Sequence, residues 1–224
     1  MSESSLKETT AKGLFWGGFS NGAQQLLNLA FGIVLGRLLD ASDYGMVGML
    51  TIFSAIASAL QEGGFVSALT NRKEVCHKDY NAVFWFSILC SITIYILLFF
   101  AAPLIADFYK IPELIPLSRF SFLGFVIASM SIAPRAYLFK NLKIKETTFI
   151  SISSLGISGT VGILLAANGF AYWGMATQSI TFVTVMTILN FYFSHWRPKL
   201  EFDFKPIREM IGFSSKLIIT NIFN

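Results

Sequence analysis

Asn21, Gln24, Gln25 and Asn28 fall three and four residues apart, the spacing that gathers side chains on one face of an α-helix. They lie in an otherwise apolar stretch, Leu14 to Gly36, that holds no charged residue. Four amides facing hydrocarbon would be costly, so this face is expected to meet protein or water. Thr51, Ser54 and Ser58, followed by Gln61 and Glu62, draw a second polar stripe at helical spacing, and Thr177, Thr181, Thr184 and Thr187 draw a third. Three helices with one polar face each can enclose a hydrated passage for a polar solute. A plainer reading stays open beside this one: Ser and Thr also bond the carbonyls of their own helix, and amides also tie neighbouring helices together.

Three ionisable residues stand out against the apolar background. Glu62, past the middle of the second stripe, can exchange a proton or bind a cation there, which makes it the candidate ion-coupling residue. Next to Gly63-Gly64 it can equally be an interfacial acid in water. Arg119 and Lys216 lie inside apolar segments, placed to draw an anionic head group inward, although long basic side chains also snorkel to the interface. Catalytic chemistry is not suggested. His77 and His195 are isolated at helix edges, Cys76 and Cys90 have no plausible disulfide partner, and no Cys, His or carboxylate cluster has metal-ligand spacing. No phosphate-binding loop or dinucleotide glycine motif occurs, so no cofactor and no enzyme activity are expected. Transport would draw on an ion gradient, the membrane potential or the substrate's own flux, unless a separate ATPase assists.

The segments that must position these residues are marked by charge. No charged residue lies between Lys12 and Arg37, between Asp43 and Glu62, or between Asp79 and Asp107, and each interval is near or above the roughly 20 residues that cross a bilayer. A fourth helix starts near Leu114 and carries Arg119 one turn inward, with Pro116 in its first turn and Pro134 at an end or kink. The charge-free stretch from Thr147 to Trp196 is long enough for two crossings separated by a turn at Asn168-Gly169. The expected fold is therefore an all-α polytopic membrane protein with six transmembrane helices, at about 14–36, 44–68, 80–106, 114–134, 147–167 and 171–195, forming one unit over 1–205. Composition agrees: 54% hydrophobic residues against 13% charged would leave a soluble chain more apolar surface than it could bury. Mean hydropathy is +0.62. Glycine pairs such as Gly18 and Gly22, or Gly32 and Gly36, suit close helix approach.

With a cytoplasmic N-terminus, thirteen of the 17 Lys and Arg residues fall in inside segments and only Arg37, Lys110 and Arg119 in outside ones. This asymmetry explains the net charge of +4 without invoking nucleic acid. Residues 206–224 read as an amphipathic linker and the start of a seventh helix. Its apolar run, Ile211 to Phe223, is too short to cross a bilayer, so the chain is expected to be part of a longer protein.

Gly36-Arg37-Leu38-Leu39 followed by Asp43-Tyr44-Gly45, then Gly64-Phe65 with Ala68-Leu69 and Arg72, then Ala133-Pro134-Arg135-Ala136, resemble in order and position the Wzx-type polysaccharide-biosynthesis flippases. The resemblance runs from Lys12 onward; Ala41-Ser42 stands where that family often has a Pro. It implies a MATE-like member of the multidrug/oligosaccharidyl-lipid/polysaccharide exporter superfamily, whose members have two six-helix lobes around a central cavity, with this chain as the N-terminal lobe. It also implies a polyprenyl-diphosphate-linked oligosaccharide as substrate, alternating access in the bacterial cytoplasmic membrane, and a polysaccharide polymerase and glycosyltransferases as partners. Alternatives are an ion-coupled multidrug exporter of the same superfamily, whose cavity should be more apolar and aromatic, a membrane enzyme acting on polyprenyl-linked sugars, and a non-transporting scaffold.

Overall fold

A computed structural model describes residues 3–62, 69 and 75–200, with side chains from Phe15 onward in the first stretch and up to Ser58 within it. The side chain of Glu62, the position of Lys216 and the linker from 206 onward lie outside the described residues. So does most of the second stretch that carries the family resemblance, from Gly64 to Arg72. Every element among the described residues is helical: α1 (Glu3–Leu38), α2 (Ala41–Glu62), α3 (His77–Tyr109), α4 (Leu114–Ser129), α5 (Ile132–Lys140), α6 (Ile144–Ala167) and α7 (Tyr172–Ser194).

The interval expected as one helix from 114 to 134 is two, α4 and α5, meeting at a 41° bend. Pro134 accounts for it: proline has no N–H for the carbonyl of Met130 four residues earlier, and its ring crowds that carbonyl. Helices α3 and α6 are each long and apolar enough to cross a membrane, and α4 with α5 reach that standard only as a bent pair. The amides and hydroxyls of α1, α2 and α7 make those three helices more polar.

Helix ends follow local chemistry. At the start of α3 the Asp79 carboxylate accepts from the backbone N–H of Cys76 at 2.9 Å. At its end Lys110 turns left-handed (φ 59°), so that Ile111 N–H reaches Ala106 O and Lys110 N–H reaches Asp107 O. That is a Schellman closure made without glycine. The same closure ends α6, where Gly169 (φ 81°) directs Phe170 N–H to Leu165 O. Asp43 ties two elements at one end of the bundle. One carboxylate oxygen accepts from Asp40 N–H at 3.1 Å and the other from Tyr172 N–H at 3.2 Å, joining the starts of α2 and α7.

The closest packing joins α6 to α7, α3 to α4 and α1 to α6. Glycine permits it: the Phe31 ring of α1 lies where a Cβ on Gly159 would sit, and Gly162 faces Gln178 in the same way. One apolar cluster gathers Met46, Leu50, Ile105, Leu117, Phe122, Phe125 and Ala176; another gathers Tyr80, Val83, Phe84, Ile132, Ala136 and Trp196. Two polar pairs cross helix seams: the buried Ser91 and Ser129 hydroxyls meet at 2.9 Å and Thr187 donates to Ile127 O at 3.2 Å, whereas the buried Ser87 and Ser154 hydroxyls have no hydrogen-bond partner among the described residues. On the outer surface of α3, Leu89, Leu97, Phe100, Leu104 and Phe108 are exposed, Phe108 by 76%. Such a face is suited to lipid rather than to water.

Candidate functional site

A cavity of about 600 Å³ opens between α2, α4, α5 and α7. Its α2 wall is Val47, Leu50, Thr51, Ser54 and Ser58, one face of that helix at three- and four-residue spacing. The opposite wall runs through the bend: Ser121, Gly124 and Ala128 from α4 are followed by Ser131 and Arg135 on the α5 side. Ser179, Ile180, Val183 and Met186 of α7 supply a more apolar side, while Gln24 of α1 and Ser151 of α6 reach in from the edge.

The amides of α1 do not act as one group. Gln24 lines the cavity and donates its amide N–H to Ser20 Oγ at 2.9 Å, whereas Asn21, Gln25 and Asn28 are exposed and do not line it. Thr51, Ser54 and Ser58 all line the cavity. Thr51 gives its proton to Gly48 O at 2.6 Å, which leaves its oxygen to the cavity as an acceptor. Thr177 and Thr181 are half-buried on α7 and do not line this cavity, and Thr184 and Thr187 bond the carbonyls of Ile180 and Val183 within their own helix.

Arg119 sits elsewhere. Its guanidinium lies 4.1 Å from the centre of the Phe99 ring, and its Nε–H donates to Phe99 O at 3.4 Å, so it clasps α3 from α4. The charged residue that does line the cavity is Arg135, which belongs to the basic segment counted toward orientation. Ser121, Ser131, Ser151 and Ser179 line it as well. A signal for the first two was present, because Ser121, Gly124, Ala128, Ser131 and Arg135 keep a helical three-and-four spacing. Among the described residues, no group of three His, Cys, Asp or Glu side chains is arranged to hold a metal ion.

Chemically, the described part of this wall is mostly apolar, Phe125 and Phe182 included, and is studded with hydroxyls, one amide and one guanidinium. It can hydrogen-bond a polyhydroxylated solute and attract negative charge.

Comparison with known proteins adds a family. The model of the family described as "Polysaccharide biosynthesis protein" matches residues 34–224. The lipopolysaccharide biosynthesis protein WzxC of Escherichia coli K12 is 26% identical over 98% of this chain and 45% of its own length. The teichuronic acid biosynthesis protein TuaB of Bacillus subtilis 168 is 23% identical over 98% of this chain and 46% of its own. The succinoglycan biosynthesis transport protein ExoT of Rhizobium meliloti 1021 is 21% identical over 85% of this chain and 39% of its own. The chain thus spans less than half the length of these curated relatives. No solved structure matches it significantly.

Proposed function

The chain belongs to the polysaccharide biosynthesis protein family, and from that membership we propose that it is the N-terminal lobe of a flippase. Its six crossings would form one side of a two-lobe, MATE-like transporter in the bacterial cytoplasmic membrane, with the N-terminus inside. The transporter moves a polyprenyl-diphosphate-linked oligosaccharide from the cytoplasmic to the outer leaflet by alternating access. A polymerase and glycosyltransferases would act before and after it to assemble a cell-surface polysaccharide.

The observation that carries this reading is the cavity wall. Gln24, Thr51, Ser54, Ser58, Ser121, Ser131, Ser151 and Ser179 offer hydroxyl and amide groups suited to sugar, beside apolar α7 side chains along which a lipid tail can lie. The wall also carries apolar and aromatic groups such as Phe125 and Phe182, which a drug site would share; the row of hydroxyls is what favours sugar. Asn21, Gln25 and Asn28, exposed on α1, would line the passage shared with the second lobe, with Thr177 and Thr181 contributing from α7. Glu62 would couple transport to an ion gradient, and Arg119 and Lys216 would raise the local concentration of anionic head groups.

A flipping assay tests this reading directly. Full-length protein in proteoliposomes should move a fluorescent polyprenyl-diphosphate-linked oligosaccharide between leaflets, and should leave a cationic drug substrate where it was added. Drug movement without movement of the lipid-linked sugar would replace the flippase reading with the exporter one.

A further inference from the structure

Where α7 ends, the chain is tied down. His195 turns left-handed (φ 54°) and Pro198 favours extended backbone at Arg197, so residues 195–200 leave the helix as a strap. The strap lies along the start of α3, where His77, Asn81 and Trp85 stand four residues apart on one face. Those three side chains bond its backbone at alternate residues, as a neighbouring strand would. His77 Nε2 donates to Arg197 O at 3.1 Å, Lys199 N–H donates to Asn81 Oδ1 at 2.8 Å, and Trp85 Nε1 donates to Lys199 O at 2.8 Å. Trp196 is the anchor. It is 5% exposed, and its ring packs against His77, Tyr80 and Phe84 of α3 and Phe191 of α7, with centroids between 5.5 and 6.4 Å apart. The same cluster includes Ile132, Ala133 and Ala136 of α5, and Ile132 also lines the cavity.

We infer that residues 195–200 form a releasable strap that holds α5 in place and so keeps one wall of the cavity closed. With the strap seated, Ser131 and Ile132 are nearly buried although both line the cavity. The bonds from His77 and Trp85 are open to water, where each contributes little, so Trp196 does most of the holding and the strap can be lifted at small cost. The chain continues from the strap into the stretch read as the link to a second lobe, so movement of that lobe would reach the cavity through Trp196 and α5. For the second lobe as the source of the pull, this inference rests on the flippase reading; for control of the cavity by the strap it does not.

The test uses full-length protein in native membranes, with Cys76 and Cys90 replaced by Ala. Ser131→Cys is the reporter, labelled by a membrane-impermeant thiol reagent from the side on which α3 begins. Losing one hydrogen bond shifts an equilibrium by about fivefold, so Trp85→Phe should raise the labelling rate by about that factor. Trp196→Ala should raise it further. Trp196→Phe should stay nearer the starting rate, because the indole N–H has no partner among the described residues and the ring packing is what holds. Leu97→Cys, on the outer face of α3, should stay unreactive in every variant. Without the reporter, a disulfide between Asn81→Cys and Lys199→Cys should stop transport of the lipid-linked oligosaccharide, and reduction should restore it. Unchanged labelling in Trp196→Ala, Leu97→Cys labelled in step with Ser131→Cys, or undiminished transport by the oxidised pair would overturn the strap and leave the flippase reading standing. Labelling that follows the strap in a protein that moves no lipid-linked oligosaccharide would uphold the strap and overturn the flippase reading.

Discussion

Side chains that share a stripe in the sequence part company in the structure. Gln24 turns into the cavity, while Asn21 and Gln25, three residues before it and one after, are exposed. The stripe was legible because helical spacing is geometric; which of its members meets the cavity depends on where α6 and α2 pack, and spacing does not carry that. Thr51, Ser54 and Ser58 stayed together because all three share the α2 face opposite the bend. Arg135 was hidden for a different reason: next to the basic segment Lys140–Lys145 it counts toward orientation, and only the angle of α5 brings it to the cavity. Glu62 keeps its proposed role as the coupling acid, and it is tested at this scale. Glu62→Gln keeps the size of the side chain and removes its charge, so gradient-driven transport should fall to background while substrate binding persists. Undiminished transport by Glu62→Gln at every pH would remove Glu62 from the mechanism.

Among the elements, those bounded by charge were the most legible. The charge-free intervals marked α1, α2 and α3, and the turn chemistry of Asn168-Gly169 falls where α6 closes onto Phe170. The bend between α4 and α5 was half visible, since Pro134 signals a kink or an end and the sequence alone does not choose between them. Contacts between helices were least visible. Gly159 carries no pattern that marks it out, yet the Phe31 ring occupies the space its side chain would take. Gly159→Ala should therefore force α1 away from α6, and overpacking of this kind costs about 1–3 kcal/mol. Thermal unfolding in detergent should record a lower midpoint for Gly159→Ala and a recovery when Phe31→Ala is added, because the second change empties the space the first one fills. A simple sum of the two losses would contradict this account of the α1–α6 contact.

For the molecule as a whole, the lipid-facing and cavity-facing surfaces are distinct: α3 turns Leu97 and Phe100 outward, while α2 and the bent pair turn hydroxyls and Arg135 inward. Family membership, a cavity that sets hydroxyls, an amide and a guanidinium among apolar side chains, and an apolar outer face on α3 together make a membrane transport lobe the reading on which the other proposals depend. Its most direct measurement is labelling of single cysteines in full-length protein in native membranes, with Cys76 and Cys90 replaced by Ala and a membrane-impermeant thiol reagent applied to each side in turn. Ser54→Cys should react from one side and be protected by the lipid-linked oligosaccharide, while Leu97→Cys stays unreactive from both. Ser54→Cys unreactive from either side in a folded protein, or Leu97→Cys freely labelled, would contradict it.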